Sequence, residues 1–385
     1  MPSARRPGLA VVAALLFVSG WATNHFAAMI PVLREREGLS ATVLAGAFGI
    51  YALGLLPGLL GGGALSDRTG RRPLVLTGAA VAAAGNLLML CWHPVAGIYL
   101  GRLVVGVGVG LAMSAGTAWA ADLGGRSGTT IAGTVLTAGF ATGPLATGLV
   151  AEFAAGSAKL VAPFALTIVL SLAGVVLGLV AAPAPTDGSG GAGVVAPEGE
   201  RQGVGRALAR SVPMALWVFA SVTVPIVVLA GRVSDGTGGP WLAGVASALA
   251  LGTGVVAQLV ARRAGWGPRA GIVGALLAAT GFALAAVVDD TAGVALFVLT
   301  SVVLGSAYGL CLRSGLVDVE TLTPAEHRGA VIGVYYVCTY LGFGLPVLIE
   351  ALRAPVGTLT PYLVLTGVAL AAAGLRTAQL RRPAQ

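Results

Sequence analysis

The sequence predicts an all-helical polytopic membrane protein, with twelve transmembrane helices in two pseudo-symmetric six-helix bundles. Three observations predict it. Hydrophobic residues make up 56% of the chain and charged residues only 10%, where a soluble globular domain carries about a quarter charged residues. Apolar runs of about 20 residues, enough to cross a hydrocarbon core as helix, recur along the whole sequence. The basic residues, arginine except for Lys159, fall mostly in short segments between those runs. A chain with so few charges cannot cover its own surface in water, so lipid is its solvent. Its 59 glycines would weaken soluble helices, but in a bilayer small residues let helices approach closely.

The first run lies near 8–32, after Arg5 and Arg6. Its basic start resembles a signal peptide, yet apolar character continues from Trp21 to Val32 without a small-residue cleavage site. It reads as a retained first span anchored by the arginine pair. Further runs fall near 42–63, 73–92, 95–120, 129–152 and 160–181. Thr186 to Arg210, the longest polar and glycine-rich stretch, reads as a flexible linker. Six more runs follow near 212–231, 241–261, 270–288, 292–312, 329–350 and 358–376. The division is an N-terminal half at 1–182, a linker at 183–211 and a C-terminal half at 212–385.

Charge placement tests this map. With a cytoplasmic N-terminus, Arg34, Arg36, Lys159, Arg232 and Arg353 fall outside, Arg102 falls within a span, and every other basic residue falls inside. That asymmetry follows the positive-inside rule and puts both termini in the cytoplasm of a cell membrane. A missed or added helix would scramble it. Gly231 to Pro240, GRVSDGTGGP, carries one arginine against three in 262–269 and is placed outside. The net charge of +8 therefore reads as membrane orientation, not nucleic-acid binding. Cys91, Cys311 and Cys338, odd in number and far apart, argue against a disulfide framework or a metal site.

Gly63 to Arg72 reads GALSDRTGRR between the second and third runs. One acid and three arginines cannot lie in hydrocarbon, so this loop pins two crossings to one aqueous face. Its form, G-x-L-x-D-R-x-G-R-R, resembles the signature loop between the second and third helices of major facilitator superfamily transporters. Gly63 would allow close approach as the second helix ends, and Gly70 a tight turn with positive φ. Arg68, Arg71 and Arg72 would hold the loop at the cytoplasmic lipid face. The resemblance implies that Asp67, buried where the halves meet, lies near the start of the eleventh helix, about Arg328 to Val331. The free N–H groups and dipole there favour an anion, which would make Asp67 a gate latch. The alternative is a simple positively charged turn.

The halves also look related. Arg126 opens the fifth run after Asp122, and Arg328 opens the eleventh after Asp318 and Glu320. The counterpart of the signature loop, RRAGWGPR at 262–269, keeps Gly265 and basic charge without an acid. Repeated halves are how carriers build two rocking bodies.

Arg102 opens GRLVVGVGVG as the charged side chain lying well within an apolar run. Arginine at the bilayer centre costs about 2.5–3.5 kcal/mol on insertion scales, so it should face the bundle interior or a water-filled cavity. The segment resembles the family's fourth-helix pattern R-x-x-x-G-x-G; an arginine snorkelling outward is the alternative. Gly139, Gly143, Pro144 and Gly148 give a kinked fifth helix with a flat small face. They resemble the glycine–proline motif of the family's antiporters, with Thr147 and Thr130 where glycines are usual. Small-residue packing explains the same residues. In the family fold the first, fourth, seventh and tenth helices line the cavity. Asn24, His25, Arg102, Met113, Trp119, Trp217 and Tyr308, with Tyr336 of the eleventh helix, are then candidate substrate-lining or coupling residues.

Glu152 and Glu350 fall at outer ends and Asp122 at an inner end, which leaves no acid mid-span. A proton-coupling role would then pass to His25, whose unperturbed pKa is about 6.5. There is no phosphate-loop motif, and His25, His93 and His327 lack metal-ligand spacing. The reading is a monomeric secondary transporter with no metal and no cofactor, working by alternating access. Its partners are the lipid bilayer, a small-molecule substrate and protons. Efflux of a drug-like compound or metabolite is expected, with an uptake carrier or uniporter as the alternative. A polytopic membrane enzyme would need clustered nucleophiles or carboxylates at one membrane face.

Overall fold

The computed structural model describes residues 5–181, 201–236, 239–288, 293–324 and 327–381. Among these there is no strand, and twelve helices are long and apolar enough to cross a membrane. They are α1 (Gly8–Glu37), α2 (Ala41–Thr69), α3 (Arg71–Cys91), α4 (Val95–Gly125), α5 (Ser127–Phe153) and α6 (Ala158–Ala181). The remaining six are α7 (Gly203–Val233), α8 (Trp241–Arg263), α9 (Gly267–Ala285), α10 (Gly293–Leu322), α11 (Val331–Val356) and α12 (Leu359–Arg381).

Helices run further than apolar runs do, because a helix end in water keeps its own hydrogen bonds and needs no hydrophobic side chains. The segment 63–72, expected as a loop, is the clearest correction. Helix α2 starts with Ser40 accepting from the Val43 N–H at 3.2 Å and continues through Thr69. Only Gly70, with φ 92°, separates it from α3. The α4–α5 junction is equally short, with Gly125 (φ 56°) as its non-helical point. Helix α10 passes the expected end at 312 and reaches Leu322. Residues 182–200, most of the expected linker, lie outside the described residues. From Arg201 onward the chain is helical where linker was expected, because Ala207 and Ser211 are fully buried against the second unit. Helix α1 is interrupted by a turn at His25.

The chain divides into two compact units, Met1–Gly191 with Gly239–Val245, and Ala192–Gly238 with Ala246–Gln385. In the first unit α4 is flanked by α2 and α3 through small residues. Side-chain carbons added at Gly54 or Gly106 would strike the facing backbone of α4 or α2, and those at Gly78 or Gly108 the facing α4–α3 seam. Apolar side chains fill the space left over, with Val12, Leu15, Leu16, Val75 and Trp119 in one buried cluster. The second unit repeats the device: α10 meets α8 at Gly305 and Gly309, and α9 at Gly274. Close approach without side chains suits a solvent that offers helices no hydrophobic reason to associate.

Filling one of these contacts should therefore cost stability. Gly106→Val, which puts two methyls against the Tyr51 carbonyl and Leu55 amide, is expected to destabilise by about 1–3 kcal/mol. Gly61→Ala, with nothing within 4 Å, should leave thermal unfolding in detergent unchanged.

Candidate functional site

Arg102 sits in the second turn of α4 and is completely buried. Its Nε donates to the Ala47 carbonyl at 3.3 Å and its Nη1 to the Thr23 carbonyl at 3.2 Å. The guanidinium lies 4.7 Å from the Phe26 ring centroid, 4.6 Å from Tyr51 and 5.7 Å from Phe48. Carbonyl dipoles and the negative faces of aromatic rings thus replace water around this cation. None of these partners is a carboxylate, and Nη2 makes no hydrogen bond. Of the two expected placements, bundle interior or water-filled cavity, the structure shows the first: Arg102 is enclosed by α1 and α2. The residues Phe26, Phe48 and Tyr51 were the missed signal, three aromatic side chains on the two helices that meet it. Thr23 and Tyr51 hold the cage together, with their hydroxyls 2.9 Å apart.

Asn24 and His25 lie beside this cage, at the turn in α1. His25 is completely buried. Its Nε2 is 2.6 Å from Asn86 Oδ1, its ring meets Phe164 edge-on at 5.6 Å, and its Nδ1 has no partner. Asn86 is in turn fixed by donating to the Ala82 carbonyl at 2.9 Å. Asn24 has a separate task. Pro144 lacks the N–H that would bond the carbonyl four residues earlier, and that carbonyl belongs to Phe140. Asn24 Nδ2 donates to it at 3.3 Å. Thr147 closes the same junction, bonding Gly143 O at 2.6 Å and reaching His25 O at 3.4 Å.

Gly139 and Gly143 let α5 press on the α1 backbone at Phe17, Gly20 and Trp21. Gly148 does not share that face. Five residues beyond Gly143, it lies about 140° round the helix, so the flat surface expected of all three glycines belongs to two.

The α2–α3 turn is held by Arg71. Its Nη1 pairs with Asp67 Oδ1 at 2.6 Å and its Nε with Asp122 Oδ2 at 3.1 Å. It also donates to Ser66 Oγ and, at 3.4 Å, to the Gly63 carbonyl. Arg72 caps α6 by donating to the Gly178 and Leu179 carbonyls at 3.1 and 2.6 Å, placing a cation on the negative end of that helix. Arg68 is exposed. Two expectations are corrected here. Asp67 is not buried, its side chain being 42% exposed, because its partner is the arginine one turn on, at the water boundary. Gly63 is not a close-contact point either, since an added carbon would meet Ser114 Oγ at an ordinary 3.6 Å. The side chains of Arg328, Gly329 and Ala330, expected partners of Asp67, lie outside the described residues.

The expected lining residues are mostly packing residues. Trp119 is buried in the apolar cluster of the first unit and Met113 packs against it. Trp217 is 1% exposed and lies 5.9 Å from the Phe282 ring. Tyr308 stacks on Phe219 at 6.4 Å. Tyr336, 6.1 Å from Tyr335, is half-buried. Large apolar rings here fill space between small-residue helices.

One charged site was missed. Asp318, 3% exposed, and Arg376, 1% exposed, form an ion pair in the second unit, 2.6 Å between Nη2 and Oδ2. Asp318 fell beyond the expected end of its run and Arg376 on the last residue of its own. The available signal was Asp318 one turn after Ser314, both facing a helix end that carries an arginine.

The Pro144 junction predicts a specific rescue. Asn24→Ala should cost about 1–3 kcal/mol by removing the hydrogen bond that the Phe140 carbonyl accepts from Asn24. Pro144→Ala, which restores an N–H four residues on, should recover most of that loss in a double-mutant cycle of thermal stability.

A sequence model described as Major Facilitator Superfamily matches residues 12–347. Multidrug resistance protein MdtL of Klebsiella pneumoniae (strain 342) is 30% identical over 96 residues, 25% of this chain and 24% of that protein. Inner membrane transport protein YajR of Escherichia coli (strain K12) is 40% identical over 72 residues, 19% and 16% of the two chains. The matched part thus spans about a quarter of these relatives or less. The fold is that of a POT family transporter solved with 5-aminolevulinic acid, at TM-score 0.79, 14% identity and 97% of both chains. The xylose transporter XylE from E. coli, in a partially occluded inward open conformation, matches at TM-score 0.70 and 15% identity, over 99% of this chain and 100% of that one. A family match of that extent, on helices that fold as those carriers do, makes this chain a member of the major facilitator superfamily, a multi-pass membrane protein.

Proposed function

We propose that the protein is an efflux carrier of the cell membrane, exporting a drug-like compound or small metabolite in exchange for protons. In this reading it works as a monomer with both termini cytoplasmic, and the lipid bilayer is its other partner. The α1–α5 junction carries the reading. The glycine–proline kink there resembles that of antiporters in the family, and the carbonyl it frees is taken by Asn24. His25, a side chain that titrates near neutral pH in water, sits at the same junction against Asn86. The partial likeness to a multidrug resistance protein supports export.

Arg102 gives this junction a fixed positive charge one helix away. Its cage uses two separate nitrogens of a planar fork, Nε and Nη1, for two carbonyls, where lysine offers a single point charge and no plane to stack on the rings. Asp67 acts as the latch of the inner gate, carrying no substrate. A second reading, uptake of a metabolite, is favoured by the match over 27% of the chain to Myo-inositol transporter 1 of Cryptococcus neoformans.

Purified protein in liposomes with an imposed pH gradient separates the two, using ethidium and labelled xylose as probes. Ethidium-dependent proton movement is expected. Xylose flux indifferent to the gradient would contradict the antiport reading. Arg102→Lys and Asp67→Asn should each cut ethidium flux at least tenfold while the protein stays folded and inserted. Full flux in either variant would remove that residue from the account.

A further inference from the structure

We propose that Asp318, paired with Arg376, is a proton-binding site in the second unit. The inference deepens the proton-coupled reading and rests on it for the role in transport.

Among the described residues Asp318 is the only carboxylate whose whole residue is buried. Charged side chains are almost never fully buried unless paired, and a buried ionisable group with a specific charge partner marks a candidate functional site. The pair itself is close. Arg376 Nη2 lies 2.8 Å from Oδ1 and 2.6 Å from Oδ2. The arginine also has partners that do not depend on the acid: Nη2 reaches Ser314 Oγ at 3.3 Å, and Nη1 donates to the Arg210 carbonyl at 3.4 Å. When Asp318 takes a proton and becomes neutral, Arg376 keeps its charge and both of those bonds. Those two bonds reduce the cost of losing one partner of a buried pair, and Arg376 Nε makes no hydrogen bond.

The surroundings leave Asp318 alone to titrate. Helix α11 presents Tyr335, whose hydroxyl donates to the Cys311 carbonyl at 3.1 Å, with Tyr336 beside it. Helix α7 contributes the charge of Arg210, α9 brings Gly271 against Ser314, and α10 itself brings Cys311. None of these is a second acid. Glu350, the other carboxylate with little exposure, differs in kind: two arginines, Arg232 and Arg353, flank it at 3.7 and 3.8 Å.

The proton itself is the probe. Infrared difference spectra of the full-length protein in lipid nanodiscs, taken between alkaline and mildly acidic buffer, should show the carbonyl stretch of a buried protonated carboxyl. The band should shift in Asp318→Glu and vanish in Asp318→Asn. Should the single neutral variant fail to fold, Asp318→Asn with Arg376→Gln keeps two neutral hydrogen-bonding groups in place and should also lack the band. A band unchanged in these variants, or absent from the parent protein, overturns the assignment. In the liposome assay, substrate-driven proton movement in the parent protein that persists in Asp318→Asn also overturns it. No proton movement in the parent protein, with the band present, instead refutes the proton-coupled reading and leaves the site standing.

Discussion

Hydrocarbon offers no hydrogen bonds, and this protein is organised around that lack. Every backbone polar group carried into a span must be satisfied within the protein. The hydroxyls of Thr134, Thr137, Thr167, Ser171 and Thr300 simply bond a carbonyl one turn back in their own helices. Where a helix is broken the solution has to come from a neighbour, and the neighbour then becomes specific. Pro144 frees a carbonyl on α5, and Asn24 on α1 is the side chain that answers it.

The same constraint explains how a full positive charge survives in the first unit. Arg102 is not balanced by an acid. Its cost is divided among two backbone carbonyls and the rings of Phe26, Tyr51 and Phe48, each a weak partner in water and a stronger one out of it. Charge at the boundary is handled differently. Arg71 gathers Asp67 and Asp122 where water is close, and Arg72 ties α3 to the last carbonyls of α6. The cage lies within the unit, and the ion pairs of Arg71 lie where their carboxylates are exposed.

Much of this was legible in the residues. Twelve apolar runs in two groups of six, the charged segment at 63–72, the lone arginine of α4 and the polar cluster of α1 could all be read from composition and spacing. Helix ends could not, because hydropathy detects hydrocarbon and is blind to helix that continues into water. That one error turned the α2–α3 hinge into a loop, when it is Gly70 alone, and left Asp318 outside its helix. Partners were the other gap. His25 stands out in an apolar run, but Asn86, 61 positions along the sequence, is an ordinary polar residue until the fold brings it near. Aromatic residues misled in the opposite direction. Trp119 and Trp217 looked like cavity liners because large rings are conspicuous, yet glycine-rich helices need such rings to fill their cores.

The account stands on charge being sorted by water, with the α2–α3 turn at the inner face. The direct measurement is labelling of Arg68→Cys by a membrane-impermeant maleimide, in protein whose Cys91, Cys311 and Cys338 are replaced by serine. The account predicts reaction in inverted membrane vesicles and none in intact cells. Labelling of intact cells would put the turn on the outer face and contradict the account.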